Sequence, residues 1–371
     1  MTEYLPNKQE LVIFVRPSEL QEKLLQATLK YYEQSSDDTI TPLQLIVILK
    51  KICNHPSLIS TAEKIESNSL IQLLNDNLPS WQEMGPTDST KISILEALLE
   101  SLIVQQEKIV IVSYYSKTLD MIMGLCEHYN YKFCRLDGST PSQARGKIVS
   151  SFNSPATDTF IFLLSAKAGG VGLNLIGASR LLLFDNDWNP ASGLQAMSRI
   201  WRDGQTQKVF IYRLLTAFSI EEKIFQRQIS KTSLSATVVD QKQKLCNLKF
   251  ADEELKDLFS VDLDRKDCLT HQMLACECRG AGEIPEQNEL KSLETQNESL
   301  ECSRFQIRLP KTKMKKDKRS LKMQELMCWE HHRSPINPEI LKELSLEESA
   351  EDIVFMFRNT VINGTNKTTP V

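Results

Sequence analysis

The chain has 371 residues, 41% hydrophobic and 25% charged, an ordinary balance for a globular protein of one large or two average domains plus tails. No apolar run reaches the roughly 20 residues of a membrane-spanning helix, so no membrane partner is expected. The opening MTEYLPNKQE has no basic start followed by an apolar core, which points to an intracellular setting where the nine cysteines stay reduced. The net charge of −4 counts against a nucleic-acid partner only as an average, because acids elsewhere can cancel a local basic stripe.

Residues 9–60 read mainly as helices: Leu20, Leu24, Leu25 and Leu29 recur at helical spacing, and so do Leu45, Ile48 and Leu49. This predicts a helical segment over 1–60 and a polar linker over 61–89. A helix over about 91–104 opens the next unit, in which β-rich runs at 108–114, 131–136, 160–164, 180–185 and 208–214 alternate with helical stretches near 116–129, 141–152, 191–202 and 219–230. Such alternation, with continuous apolar strands, predicts an α/β domain over 90–245 built on a parallel sheet with helices on both faces. Thr140 before Pro141 and Asn189 before Pro190 mark helix starts. A brace and Cys/His element follows over 246–282, then a flexible basic linker over 283–335 and a helical segment over 336–361, the whole tail being partly disordered.

The most informative segment is QAMSRIWRDGQ, residues 195–205. On a helix starting after Asn189, Gln195, Arg199 and Arg202 are spaced four and three apart and share one face. Two guanidiniums on one face make a polyphosphate clamp, as arginine fingers do when a phosphoryl group leaves. A solvated basic face is the plainer account of two arginines alone; Gln195, Gly204 and Gln205 in register favour the clamp. SAKAGGVGLNL (165–175) places a glycine-rich turn after an apolar strand, where open sheets bind ligands and backbone amides approach phosphates. It is neither a Walker A loop nor a dinucleotide fingerprint, and a purely structural turn is the alternative. RLDGSTPSQAR (135–145) joins strand to helix, so Ser139 and Thr140 either hold a DNA phosphate or simply form the turn. FDNDWNP (184–190) is a further strand-to-helix junction, where Trp188 by itself reads as packing.

Cys268, His271, Cys276 and Cys278 fall within eleven residues, and thiolate with imidazole suits zinc. The spacing C-x2-H-x4-C-x-C is not that of a standard finger. His271, Cys276 and Cys278 are the firmer ligands, and the fourth is Cys268 or the distant Cys302; unligated cysteines are the alternative. Cys328 with His331 and His332 reads as no site, and Cys53, Cys126 and Cys134 read as core. The basic stretch 311–322 reads equally as a DNA or nuclear-import contact and as a solvated run.

Taken in order, VIVSYY (110–115), RLDGST, SAKAGGVGLNL, FDNDWNP and QAMSRIWRDGQ resemble motifs IV to VI of the Swi/Snf-type helicase-like double-stranded DNA translocases. LKKICNHPSL (49–58) and YRLLTAFSIEEKIFQRQISK (212–231) are similar to the family's flanking segments, and the resemblance covers about residues 5–260. RIWRDGQ, IFQRQISKTSL and CLTHQMLACEC look most like its recombination-repair branch, the Rad-fifty-four-B type. The resemblance implies a RecA-like second motor lobe that uses ATP and magnesium, with Arg199 and Arg202 as arginine fingers and Gly170 and Gln195 near the nucleotide. It places Ser113, Ser139, Lys167 and Trp188 along a DNA track. It also implies a small zinc-centred element, double-stranded DNA and a RecA-type recombinase as partners, and a nuclear location. No Walker A loop and no Asp-Glu-x-His motif occurs in the 371 residues. A piece inactive alone, dependent on a missing first lobe, is therefore expected; the rival is a non-catalytic DNA- or recombinase-binding module.

Overall fold

Runs such as IVIVS and IFLLS become strands because β-branched and aromatic side chains fit a pleated surface covered on both faces. The computed structural model describes residues 5–34, 40–59, 69–80, 83–168, 172–235, 252–260, 267–285, 324–362 and 365–366. Gly170, Cys302 and the basic stretch 311–322 lie outside these residues. Ten strands form one sheet: β1 (Lys8–Val15), β2 (Ile109–Ser113), β3 (Phe133–Leu136), β4 (Ile161–Ser165), β5 (Arg180–Leu183), β6 (Val209–Thr216), β7 (Ala281–Glu283), β8 (Glu330–Arg333), β9 (Ile353–Ile362) and β10 (Thr365–Asn366). The order is β3-β4-β2-β5-β6-β1-β9-β8-β7, with β10 beside β9. Pairing is parallel from β3 to β1 and antiparallel beyond.

The helices are α1 (Glu19–Gln34), α2 (Pro42–Asn54), α3 (Ser69–Asp76), α4 (Thr90–Gln105), α5 (Ser116–His128), α6 (Ser142–Asn153), α7 (Pro190–Met197), α8 (Ile220–Ser235), α9 (Asp252–Phe259), α10 (Leu269–Leu274) and α11 (Pro338–Glu343). Alternate side chains of β2 point to opposite faces, as a strand requires. Ile109 and Ile111 join the core under α4 and α5. Val110 and Val112 join the one under α6 and α7. Covered on both sides, the strand is buried along its whole length.

Several expectations are corrected here. The polar linker read over 61–89 contains α3 (Ser69–Asp76), and the flexible basic linker read over 283–335 contains β8 (Glu330–Arg333). Residues 8–15, read as the start of a helical segment, are strand β1, and residues 353–362, read as helical, are strand β9. LVIFV and IVFMF lack the 3.6-residue period; they are short continuous apolar runs, the pattern of a buried strand. β1 pairs in parallel with β6 and antiparallel with β9, so the two ends of the described chain meet in the sheet. Tyr212 on β6 donates its hydroxyl to the Leu344 carbonyl, 2.9 Å away, and this fastens the segment after α11 beneath the sheet.

The helical segment proper is α1 to α3. Thr41 and Gln44 form a reciprocal capping box at the start of α2, with Pro42 in the first turn. Gln21 of α1 donates to the carbonyls of Ile52 and Cys53, at 2.8 and 2.9 Å, satisfying the far end of α2. Their apolar faces share a core with Ile220 and Ile224 of α8 and Leu258 of α9.

A buried ion pair ties this segment to the sheet. Lys91 of α4 lies 2.6 Å from Glu221 of α8, both side chains being 0% exposed. Lys91 also donates to the Phe184 carbonyl at 3.0 Å and to Asn54 Oδ1 at 3.3 Å. Glu221 accepts from the Thr216 amide at 2.9 Å. Lys91→Met strands a buried carboxylate, and urea unfolding is expected to show a loss of about 3–5 kcal/mol. Adding Glu221→Leu should recover most of that loss; equal instability of the single and double variants would contradict the assignment.

Candidate functional site

The arginine segment is placed by a turn rather than by a helical face. α7 begins as expected, with the Asn189 side chain accepting from the Ala191 amide and Pro190 in the first turn, but it ends at Met197. Arg199 and Arg202 follow on successive turns, and the Leu175 amide donates to the Arg199 carbonyl at 2.9 Å. A contact from another part of the chain thus replaces the next helical turn. The two guanidiniums still feel each other's charge. Burial lowers the Arg199 pKa first, and the charge of Arg202 lowers it further. Arg202 Nη1 donates to the Leu173 carbonyl at 3.2 Å. The Nε atoms of both arginines are buried without a hydrogen-bond partner. Two cations on successive turns suit an anion with several oxygens.

Gln195 is exposed on α7. Gln205 is a staple: its Nε2 donates to the carbonyls of Ile176, Ala178 and Ile200 at 2.8–3.3 Å, and its Oε1 accepts from the Thr206 and Gln207 amides at 3.0 Å. Gly204 has φ +95, a left-handed conformation that permits the turn at this point.

The C-terminal ends of the parallel strands carry the other predicted residues. Lys167 is exposed after β4. Ser139 is exposed after β3, its hydroxyl donating to Asp137 at 2.6 Å, and that bond, with Arg135 behind it, holds the Asp137 pKa down. Thr140 accepts from the Asp137 amide at 3.0 Å and does not cap α6, which starts at Ser142 after Pro141. Trp188 packs on the core of the helical segment and lines a cleft as well.

Ser113 is corrected: it is 0% exposed and donates to Asp185 at 2.5 Å, so it is shut away from any DNA strand. Asp185, which sequence reasoning missed, is the hub. Its carboxylate also accepts from the Tyr114 amide at 2.8 Å and from Asn54 at 3.1 Å. Burial raises its pKa, against the pull of Lys50 and of its hydrogen-bond donors. Asp185 therefore joins the ends of β2 and β5 to the helical segment.

The Cys/His cluster is a third site. Candidate ligand atoms of His271, Cys276, Cys278 and His331 all lie within 4.8 Å of one another. Cys276 Sγ is 2.9 Å from His271 Nε2, 3.4 Å from Cys278 Sγ and 3.5 Å from His331 Nδ1. Edges of this length fit a tetrahedron with bonds of about 2.0–2.3 Å, the geometry of a structural zinc site. His331 Nε2 lies 2.8 Å from the Leu326 carbonyl; donation to it leaves Nδ1 free to ligate. Cys268 is corrected: it is buried elsewhere, its thiol 3.2 Å from the Glu222 carboxylate. His331, read with Cys328 and His332 as no site, takes its place on β8; its partners lie more than fifty residues away in sequence. The ring of His271 stacks on Phe355 at 4.5 Å, so the cluster bolts α10 to β8 and β9.

Comparison with known proteins agrees with this architecture. A family described as the helicase conserved C-terminal domain matches residues 90–204. The DNA repair and recombination protein RAD54B of Gallus gallus is 40% identical over 99% of this chain and 41% of its own length. Among solved structures, the C-terminal part of the Fun30 ATPase domain superposes with a TM-score of 0.52 at 25% identity, covering 69% of this chain and 96% of that one. The Sulfolobus solfataricus SWI2/SNF2 ATPase core, solved in complex with dsDNA, gives a TM-score of 0.51 at 23% identity, over 69% of this chain and 50% of that one. The chain spans about two fifths of the length of the curated relative.

Proposed function

As a homologue of the RAD54-type recombination-repair proteins of the Swi2/Snf2 ATPase class that carries a helicase C-terminal domain, this chain is, we propose, the second motor lobe of an ATP-dependent double-stranded DNA translocase. The observation that carries this is the pair Arg199 and Arg202, held on successive turns by the Leu175 amide and the Leu173 carbonyl. With ATP held between this lobe and a first lobe, the two guanidiniums stabilise charge on the departing phosphoryl group. The phosphate loop and the magnesium ligands come from the first lobe. Lys167 and Ser139, exposed at the strand ends, grip the DNA backbone. Asp185 and Ser113 keep those strand ends in register with the helical segment. Cleft closure then moves the grip along the duplex. Homologous recombination, a RecA-type strand-exchange recombinase as partner and a nuclear location belong to the same proposal.

The Cys/His cluster would hold zinc in a structural role, because His271, Cys276, Cys278 and His331 would supply all four ligands of a closed tetrahedral site. The test of the motor assignment is duplex-stimulated ATP hydrolysis when a first lobe is supplied in trans. Turnover on mixing is expected; its absence with a folded chain that binds duplex would favour the binding-module alternative.

A further inference from the structure

A cleft of about 200 Å3 opens at the C-terminal ends of β2, β4 and β5. Tyr114 and Tyr115 line it after β2, Lys167 after β4, and Asp187 and Trp188 after β5. Lys50 of α2, which lies outside the matched helicase domain, lines it too.

Lys50 is 3% exposed. Its ammonium donates to the Asn186 carbonyl and sits 5.2 Å from the centre of the Tyr115 ring. An ammonium has three N–H donors, so one carbonyl leaves capacity toward the cleft. Among the described residues, neither Lys50 nor Lys167 has a carboxylate hydrogen-bonded or ion-paired to it. Asp185 lies near Lys50, but its oxygens are taken by Ser113, Tyr114 and Asn54. Asp187 lines the cleft as well, but its carboxylate accepts from the Trp188 amide at 2.8 Å and from Ser192 at 3.2 Å. Lys51, next on α2, is a further cation, its pKa depressed by burial and then by Lys117. Asp185 offsets part of the Lys50 charge, whereas Lys167 is exposed, and the two lysines face one space.

α2 is also fixed, which gives the Lys50 amine a defined position. Gln21 holds its last carbonyls, and Asn54 donates to Thr118 at 3.1 Å as well as to Asp185.

The geometry points to Lys50, together with Lys167, as the ligand of one phosphodiester group of the DNA strand that the lobe tracks. This rests on the motor-lobe assignment and extends the DNA grip beyond the helicase domain into the helical segment.

The test is the salt dependence of duplex binding by the full chain, read by fluorescence anisotropy over a potassium chloride series. Removing one cation from a phosphate makes the slope of log affinity against log salt shallower by about one. Lys50→Gln is expected to weaken binding about tenfold with that change of slope. Lys50→Arg, which keeps the charge, is expected to retain the wild-type slope. Weaker binding by Lys50→Gln with an unchanged slope means that Lys50 only supports the fold, and overturns the proposal. Lys167→Gln is measured in parallel: a slope change there with none for Lys50→Gln rejects the Lys50 assignment alone. Salt-independent or absent binding by the folded wild-type chain rejects the motor-lobe assignment with it. Inorganic phosphate added at constant ionic strength is expected to leave duplex binding unchanged; displacement of the duplex would reassign the cleft to free phosphate.

Discussion

Arg199→Ala in a complete two-lobe enzyme is expected to lower kcat for duplex-stimulated ATP hydrolysis by about a thousandfold or more, the range for loss of an arginine finger. Duplex affinity should stay within a few-fold of wild type, because Arg199 does not line the cleft that Lys50 and Lys167 face. The fold should also survive. The hydrogen bond that places this turn is made by the Arg199 backbone carbonyl, which alanine keeps. Burial and then the charge of Arg202 disfavour the Arg199 cation, so its removal relieves an unfavourable charge. Thermal melts of the variant check that point, and steady-state ATPase assays with and without duplex check the rest. Normal hydrolysis without duplex binding would reverse the roles assigned to the two regions.

The second large effect is expected at the Cys/His cluster. The wild-type chain should carry one zinc per molecule by elemental analysis, and removing it with a chelator should lower the melting temperature, because a structural metal contributes folding free energy directly. His331→Ala should weaken zinc binding by roughly 100-fold or more, because removing a ligand costs more than the 10–100-fold typical of removing a group that only orients one. Cys268→Ala should leave zinc content unchanged, since that thiol faces Glu222. Hydrogen exchange should localise the damage of the His331 change to β8 and α10, which the cluster joins. Retained zinc in His331→Ala together with its loss in Cys268→Ala would restore the ligand set that sequence spacing favoured.

Much of the sheet was legible because its parallel strands are buried on both faces and read as unbroken apolar runs. β1 and β9 were not: LVIFV stands just before the leucine-patterned α1, and IVFMF follows the helix-forming PEILKE, so each short run was absorbed into its neighbour's period. The arginine pair was found through an argument that only partly holds. The helix predicted to align Arg199 with Gln195 stops at Met197, and tertiary contacts with residues 173–178 set the turns instead. Ser113 was legible as part of a strand-end segment, but its burial depends on Asp185, some seventy residues later. His331 shows the same limit, since its cluster partners come from the other end of a long segment and no local spacing reveals them. Lys50 and Asn54 meet the strand ends only once the helical segment docks.

The most direct measurement is duplex-stimulated ATP hydrolysis by this chain alone, by a first lobe alone and by their mixture. The account predicts turnover from the mixture that exceeds the sum of the separate rates and vanishes with Arg199→Ala. Turnover by this chain alone would contradict it, because it would require a phosphate site that the motifs of these 371 residues do not supply.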